Sequence, residues 1–296
     1  MIRHWTSITS CLALAICLVS VALWIVSDET IASRDSYTIP GTIRYRFTIR
    51  NTTNTVVTGA QLKTFAPVIQ TAYQWCDAVE SSSAFETIHD EIGNQMLVFP
   101  LKPIPPFGSR IITVTAHLLF SEEPELILST DRKFYLDAEE TIQTDAPQIQ
   151  ELAANLRQDG TMETARACFD WVASNLEYVG YRSTALGALH ALTNHKGDCT
   201  EFMSLFVALC RANTIPARCM GGYIRSGSSL MKAADYHNWA EFMDNRRWWA
   251  ADPQRRRFQV PGGAMVAMQI LGRHSDLSAG LQRHGVTGTG LSVTMD

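Results

Sequence analysis

The chain has 296 residues and a formal net charge of −4, with 46% hydrophobic and 18% charged residues. This length suits about two domains, and the composition excludes collagen, coiled coils and acidic disordered chains. Because Lys and Arg are not in excess, electrostatics give little support to nucleic-acid binding. Seven cysteines in a chain of this length do not make a disulfide-rich scaffold.

Residues 1–29 predict a membrane anchor. An almost uncharged run covers residues 8–26, with Arg3 before it and Asp28-Glu29 after it. A helix over this run rises about 28 Å, close to the hydrocarbon thickness of a bilayer. The positive-inside rule then places the N-terminus in the cytoplasm and the rest of the chain outside, in the periplasm if the cell is bacterial. A removable signal peptide is the alternative, with a weak cleavage signal at residues 30–32.

Residues 30–130 predict an all-β sandwich of immunoglobulin-like type. The run 42–50 alternates apolar and polar residues with period two, which is typical of a strand with one buried face. Further strand candidates cover residues 96–99 and 110–116, on either side of a proline-rich loop. A series of short strands is typical of a sandwich. Because this segment gathers no catalytic residue types, we expect it to act as a support or spacer.

Residues 131–296 predict a domain of the α+β class. Residues 147–176 and 198–212 have apolar side chains at helical spacing, whereas 217–224, 236–243 and 247–251 alternate like strands. Helices followed by paired strands favour the α+β class over a βαβ repeat.

Cys199 is the candidate nucleophile. Asp198 can cap a helix that begins at Cys199, and the positive end of the helix dipole then favours the thiolate. Gly197 leaves room for a sharp entry of the backbone into the helix. A cysteine at a helix start is more often a packing residue, so this position alone does not establish catalysis.

His237 and Asp252 are the candidate partners of the cysteine. The strand-like segments that contain them flank Asp244-Asn245, a pair suited to a tight turn. A two-residue loop there places His237 directly opposite Asp252, whose carboxylate can accept a hydrogen bond from the imidazole. The other ring nitrogen is then free to meet a thiol. A Cys, a His and an acidic residue in this arrangement suit nucleophilic catalysis by a thiol.

The stretch from Ala165 to Phe258 resembles the transglutaminase-like superfamily, which shares the papain-like cysteine hydrolase architecture. The matching motifs are Gly197–Phe202, Leu205–Arg211, Ile215–Arg218, Gly221–Tyr223, His237–Glu241 and Trp248–Pro253. The resemblance implies that Cys199 is the nucleophile, that His237 is base and acid, and that Asp252 orients the histidine. The segment around residues 92–94 also resembles the amino-terminal region of bacterial members, which implies a bacterial, membrane-anchored type. The superfamily includes protein cross-linkers, proteases and peptide amidases or glycanases, so it does not fix the acceptor of the acyl group.

Three aromatic residues are candidates for supporting roles. The backbone N–H of Cys199 is a natural first donor to an oxyanion. The second donor in relatives is often an aromatic or amide side chain upstream, which makes Tyr178 and Tyr181 candidates. Trp239 is expected to shield the His237 pair from water.

No cofactor is implied, and no metal is expected to be required. His190, His195 and Cys199 can be interpreted as zinc ligands, but the helix start makes their spacing unreliable and no fourth ligand has convincing spacing. No calcium-loop pattern is present in the sequence.

Two features leave alternatives open. Cys210 and Cys219 could pair in an oxidising exterior, or the remaining thiols could be buried and free. The run Arg255–Arg257 is either a solvated turn or a means of attracting an acidic substrate or a lipid headgroup.

These patterns predict an extracytoplasmic, membrane-anchored cysteine enzyme that acts on a protein or peptide substrate through a thioester. Hydrolysis is favoured over transamidation because nothing in the sequence marks a second groove for an amine. The alternative is a non-catalytic peptide-binding or scaffold protein that uses the same fold.

Overall fold

The structure, a computed structural model, describes residues 31–127, 132–225, 229–272 and 283–296. The predicted membrane anchor at residues 1–29 lies outside the described residues. Among the helices of the described ranges, none has both the length and the apolar character needed to cross a bilayer. Residues Ala32–Asp296 form one compact unit.

The first part of this unit consists of strands. They are β1 (Ile39–Asn51), β2 (Gln61–Ala66), β3 (Gln74–Ser81), β4 (Glu86–His89), β5 (Gln95–Pro100) and β6 (Ser109–Phe120). The alternation predicted for residues 42–50 is confirmed, because Ile43, Tyr45, Phe47 and Ile49 are all buried on one face of β1.

The second part mixes helices and strands. Its helices are α1 (Pro147–Leu156), α2 (Thr161–Asn175), α3 (Ala188–Asn194) and α4 (Cys199–Ala212). Its strands are β7 (Glu177–Tyr178), β8 (Lys196–Gly197), β9 (Ala217–Ile224), β10 (Tyr236–Asp244), β11 (Arg247–Asp252), β12 (Arg257–Phe258), β13 (Met265–Leu271), β14 (His284–Thr287) and β15 (Leu291–Met295). The predicted α+β class is therefore confirmed.

The helical region predicted over residues 147–176 is divided in two. The chain becomes extended at Arg157, which ends α1, and Gly160 precedes the first residue of α2 in an extended conformation. The short helix α3 was absent from the sequence prediction, since its seven residues offer too little periodicity to detect.

A five-stranded antiparallel sheet with the order β12-β11-β10-β9-β13 forms the centre of the unit. Helix α4 packs on one face of this sheet, where Phe206 and Leu209 join Ala240 and Phe242 in one apolar cluster. This helix is buried on nearly every side, as its high apolar content indicates. The other face carries Trp239 and Trp248 against residues of the first part of the chain.

Two four-stranded sheets, β15-β1-β6-β3 and β14-β2-β5-β4, share a second apolar cluster. The last strands of the chain complete both sheets, because β15 pairs with β1 and β14 pairs with β2. The predicted division of the chain at residue 130 remains a prediction. Strand pairing nevertheless joins residues 284–295 to strands on the other side of that boundary.

Candidate active site

The start of α4 positions Cys199 through two reciprocal hydrogen bonds. The Asp198 carboxylate accepts from the Thr200 N–H at 2.7 Å, and the Glu201 carboxylate accepts from the Asp198 N–H at 3.0 Å. This capping box satisfies backbone donors that a helix start otherwise leaves unpaired. Glu201 also accepts from the Leu186 N–H at 2.8 Å, which ties the preceding loop to the helix. The predicted helix start at Asp198 and Cys199 is confirmed.

Gly197 is required at this position by a close approach. A Cβ atom there would overlap the Cβ of Glu201, the residue whose carboxylate closes the capping box. The backbone of Gly197 lies outside the left-handed region, so space and not conformational freedom selects glycine. The absence of a side chain lets β8 run directly into the first turn of α4.

The hairpin that carries His237 and Asp252 has a different register from the predicted one. The ladder pairs Met243 with Trp248 and Asp244 with Arg247, so the loop is Asn245-Arg246, with φ values of 47° and 65°. The predicted loop at Asp244-Asn245 was wrong because Asp244 belongs to the ladder, which shifts the pairing by two residues. His237 and Asp252 are therefore diagonal neighbours instead of directly opposed residues. They stay on one face of the sheet because side chains repeat with period two.

His237 and Asp252 form a buried hydrogen-bonded pair. The Nε2 atom of His237 lies 2.7 Å from Oδ2 of Asp252, and the two residues are 6% and 1% exposed. The other carboxylate oxygen, Oδ1, accepts from the Arg255 N–H at 3.1 Å. With both of its oxygens engaged, Asp252 holds the imidazole in one orientation. Nδ1 is then the ring nitrogen left to interact with a thiol.

The charge state of His237 is controlled by its burial and by its two neighbours. Burial lowers the pKa of His237, but hydrogen bonds to Asp252 and Cys199, together with the negative charges of both groups, raise the pKa to about 9. The imidazole is therefore protonated at neutral pH. A protonated histidine next to a thiolate is the ion pair from which a cysteine nucleophile acts.

Asn238 links the histidine strand to the cysteine helix. Its Nδ2 donates to Oγ1 of Thr200 at 3.0 Å. Asn238 directly follows His237, and Thr200 directly follows Cys199. This contact fixes the start of β10 relative to the start of α4. The structure thus brings Cys199, His237 and Asp252 together from three separate elements.

Cys199 opens into a cleft of about 960 Å³. The described residues that line the cleft are Tyr178, Tyr181, Cys199, Thr200, Ala233, Ala234, Asp235, Tyr236, His237, Asn238, Gln254, Arg255, Arg257 and Arg283. Several of these residues have no catalytic signature in the sequence. Arg283 in particular reaches the cleft only because β14 pairs with β2, a long-range contact that no local pattern reveals.

Tyr178 and Tyr181 both line the cleft. Tyr178 belongs to a strand that pairs with the residues just before Cys199. Strand β7 pairs with β8, which sets Tyr178 beside Gly197, two residues before the cysteine. Burial raises the pKa of Tyr178, the negative charges of Cys199 and Asp198 raise it further, and Arg255 opposes them. Its phenol therefore keeps its proton at neutral pH and can donate it in a hydrogen bond. Tyr181 is 65% exposed and lies beneath the guanidinium of Arg283.

Trp239 is buried in the apolar cluster behind the central sheet and does not line the cleft. It follows His237 by two residues and so projects from the same face of β10. Its expected role in shielding the His237 pair from water remains a prediction.

The zinc and disulfide alternatives involve His190, His195, Cys210 and Cys219. His195 Nδ1 contacts the Asn175 carbonyl at 3.1 Å, and His190 Nδ1 contacts Asn194 at 3.2 Å. Within the described ranges, no group of three or more metal-ligating side chains is present. The described cysteines, Cys76, Cys168, Cys199, Cys210 and Cys219, are free thiols, so the pairing of Cys210 with Cys219 is not formed.

Comparisons with known proteins agree with the resemblance seen in the motifs. Residues 149–253 match the family model of the transglutaminase-like superfamily. The chain is similar to a crystal structure described as a candidate cysteine protease from Cytophaga hutchinsonii, with 17% identity and a TM-score of 0.56 over 87% of this chain and 92% of that chain. This similarity shows a shared fold.

Two further solved structures are more distant. The periplasmic domain of TgpA from Pseudomonas aeruginosa is 16% identical, with a TM-score of 0.40 over 75% of this chain and 89% of that chain. A red sea bream transglutaminase is 10% identical, with a TM-score of 0.31 over 73% of this chain and 49% of that chain. No curated protein matches the chain. Residues 149–253 of this chain thus resemble the transglutaminase-like superfamily.

Proposed function

We propose that the protein is a cysteine enzyme that transfers the acyl group of an amide or peptide through a thioester on Cys199. The observation that carries this proposal is the 2.7 Å hydrogen bond between His237 and Asp252, with Cys199 close enough to the same imidazole to raise its pKa. A packing cysteine requires no such partners. The thiol, the imidazole and the cleft together form an arrangement that suits nucleophilic catalysis.

The proposed reaction uses each group in turn. The Cys199 thiolate attacks the carbonyl carbon, a C–S bond forms, and the carbonyl oxygen becomes an oxyanion near the Cys199 N–H. His237 gives its Nδ1 proton to the amide nitrogen, the C–N bond breaks, and the amine leaves. Water then attacks the thioester while the neutral His237 takes its proton. The C–S bond breaks, the acid is released, and the resting ion pair is restored.

Hydrolysis is the favoured outcome, with a protein or peptide as the substrate. The cleft around Cys199 is large enough for an extended segment of chain, and the cysteine is only partly buried within it. Water can therefore reach the thioester once the amine has left. If only added amines discharged the acyl-enzyme, transamidation would replace hydrolysis in this proposal.

We further propose that residues 1–29 anchor the enzyme in a membrane and that the catalytic part lies outside the cytoplasm. The support is the uncharged run at residues 8–26, with Arg3 before it and Asp28-Glu29 after it. On this view, the two sheets that share one core form an immunoglobulin-like sandwich that supports the catalytic part. A thiol reagent that cannot cross the inner membrane of a bacterial host should label Cys199 in intact cells.

Alkylation of the full-length protein tests the catalytic proposal. Cys199 should react with iodoacetamide at pH 7 at least about tenfold faster than Cys76, because a thiolate is the reactive form. Cys76 is a suitable internal reference, since burial raises its pKa to about 11. Peptide mass spectrometry gives the rate at each cysteine. The variant His237→Ala should lose the advantage of Cys199.

Equal rates at Cys199 and Cys76 would contradict the enzyme proposal. The alternative, a peptide-binding or scaffold protein of the same fold, would then be favoured. Circular dichroism of the His237→Ala variant would show whether a slow reaction at Cys199 arises from loss of the fold instead.

We propose that the phenol of Tyr178 is the second oxyanion donor, because strand pairing sets Tyr178 beside Gly197, two residues before Cys199. The change Tyr178→Phe should slow acylation by a peptide substrate about tenfold or more, because one donor to the oxyanion is lost. Alkylation by iodoacetamide forms no oxyanion and should keep its rate. Tyr181→Phe is the matched control, and an equal loss in both variants would remove Tyr178 from this role.

A further inference from the structure

We propose that the cleft selects acidic peptides, with carboxylates on both sides of the amide that is cleaved, an inference that rests on the proposed function. Three guanidinium groups line the cleft with Cys199, those of Arg255, Arg257 and Arg283. Among the described lining residues, they face a single carboxylate, that of Asp235. The chain as a whole has a net charge of −4, so this concentration of positive charge is local to the cleft.

Arg283 is held in place over an aromatic ring beside the catalytic histidine. Its Cζ atom lies 4.0 Å from the centroid of the Tyr236 ring and 5.5 Å from that of Tyr181. Tyr236 itself is fixed by a hydrogen bond from its hydroxyl to Gln269 Oε1 at 2.8 Å. A guanidinium stacked on a ring by its face keeps its N–H edge available for a carboxylate. Arg283 is thus positioned before any substrate binds, which lowers the entropy lost on binding.

Arg255 and Arg257 line the cleft from the segment that follows β11. Arg255 lies in the turn after β11 and Arg257 begins β12, and the Arg255 N–H donates to the Asp252 carboxylate at 3.1 Å. Both side chains are exposed, so substrate can reach them without displacing protein atoms. The turn is therefore anchored to a catalytic residue while its guanidinium groups remain accessible.

Two tyrosines that line the cleft lie within electrostatic range of both Cys199 and an arginine. Burial is the main cause that raises the pKa of Tyr178, the negative charge of Cys199 adds to it, and Arg255 opposes it. Burial likewise dominates at Tyr236, where Cys199 also raises the pKa and Arg283 opposes it. The charges of Cys199 and of one arginine therefore both act on each tyrosine, Arg255 on Tyr178 and Arg283 on Tyr236.

Asp235 offers one negative charge against the positive charges of three arginines. Its carboxylate accepts from the Lys232 N–H at 3.1 Å, which holds the short turn before β10. A peptide with a carboxylate on each side of the scissile amide would place one near Arg283 and one near Arg255 and Arg257. Arginine pairs with carboxylates in a two-pronged geometry that adds orientation as well as affinity.

Two alkylating reagents of nearly equal size test this inference without a known substrate. Iodoacetate carries a carboxylate, whereas iodoacetamide is neutral. The rate of iodoacetate at Cys199 divided by the rate of iodoacetamide therefore reports the charge of the cleft. Changing Arg283→Gln or Arg257→Gln in the full-length protein should lower that ratio about threefold, and added salt should lower it in the unchanged protein. Arg256→Gln is the matched control, because Arg256 is exposed in the same turn without lining the cleft.

The outcomes separate the two proposals. If Cys199 reacts fast with both reagents but the ratio is the same in all variants, the acidic-substrate inference is overturned and the cysteine enzyme stands. If Cys199 reacts with neither reagent, the proposed function fails and this inference fails with it. Arg257 is exposed, so the Arg257→Gln variant keeps the test valid even if Arg283→Gln does not fold.

Protection of Cys199 from iodoacetamide identifies the kind of ligand. A hexapeptide of alternating Glu and Ala should slow the reaction, and the same peptide with Gln in place of Glu should not. The Glu peptide should lose this effect in the Arg283→Gln and Arg257→Gln variants. Protection by phosphatidylglycerol vesicles without protection by the Glu peptide would instead assign the positive groups to a lipid surface and overturn the peptide inference.

Discussion

The protonation of His237 links the His237–Asp252 pair to the stability of the fold. Its pKa in the folded chain is about 9, against an ordinary value of 6.5, because Asp252 and Cys199 outweigh the effect of burial. A raised pKa means that the folded state binds the proton more tightly than the unfolded state does. The resulting stabilisation is complete below about pH 6.5 and is lost as the pH rises through about 9.

The variant Asp252→Asn should therefore be destabilised most below pH 6.5. The difference in the free energy of unfolding from the unchanged protein should shrink by about 2 kcal/mol between pH 6 and pH 10. Urea unfolding at several pH values measures this difference. Asp244→Asn, on the same hairpin but away from the histidine, should show a difference that is independent of pH. A constant difference for Asp252→Asn would show that Asp252 does not hold the proton on His237.

Among the elements, the start of α4 depends on how closely β8 approaches it. A methyl group at Gly197 must displace Glu201. The capping hydrogen bond that Glu201 accepts from the Asp198 N–H and the loop hydrogen bond that it accepts from the Leu186 N–H would be lost with it. The change Gly197→Ala should lower the free energy of unfolding by about 2 kcal/mol, the usual scale for an overpacked site with a lost cap. It should also slow the alkylation of Cys199, since the cysteine is the first residue of the helix.

Thermal unfolding and iodoacetamide labelling of Gly197→Ala measure these two effects separately. Both effects follow from movement of Glu201. A variant with the stability and the Cys199 reactivity of the unchanged protein would mean that the helix start does not depend on this close approach.

Elements with a strong local pattern could be predicted from the sequence, whereas their exact pairing could not. The strands β9, β10 and β11 and the helix α4 match the expected ranges within one residue, because apolar periodicity and the Asp198 cap are local signals. The hairpin register was wrong by two residues, because Asp244 can either end a strand or enter a turn. The predicted proximity of His237 and Asp252 still holds, since a shift of two residues keeps both side chains on the same face.

Features that depend on distant parts of the chain could not be predicted. The cleft includes Arg283 because the segment after residue 283 returns to pair with β2, and nothing in its local sequence marks this partner. The pairing of β15 with β1 is hidden in the same way. Strand pairing across more than two hundred residues is decided by the assembled core, not by local propensity.

At the scale of the whole molecule, the last strand connects the amino-terminal sheet to the cleft beside Cys199. Strand β15 covers one edge of β1, and Met295 Sδ lies 3.1 Å from the hydroxyl of Tyr223. Tyr223 in turn packs edge-on against Tyr236, with ring centroids 5.3 Å apart. The guanidinium of Arg283 stacks on the ring of Tyr236. The carboxyl terminus thus supports the wall of the cleft through a chain of direct contacts.

Removal of residues 291–296 should therefore affect both stability and association. The loss leaves the edge of β1 unpaired, and an exposed strand edge is a template for pairing with another chain. We expect a lower melting temperature and concentration-dependent light scattering. Asp296→Asn is the control, because it leaves β15 in place. It weakens the partly exposed ion pair with Arg46, a contact worth less than about 1 kcal/mol, and the exposed hydrogen bond that Thr48 Oγ1 donates to the same carboxylate. A shortened chain that melts like the control and stays monomeric would show that β15 does not protect this edge.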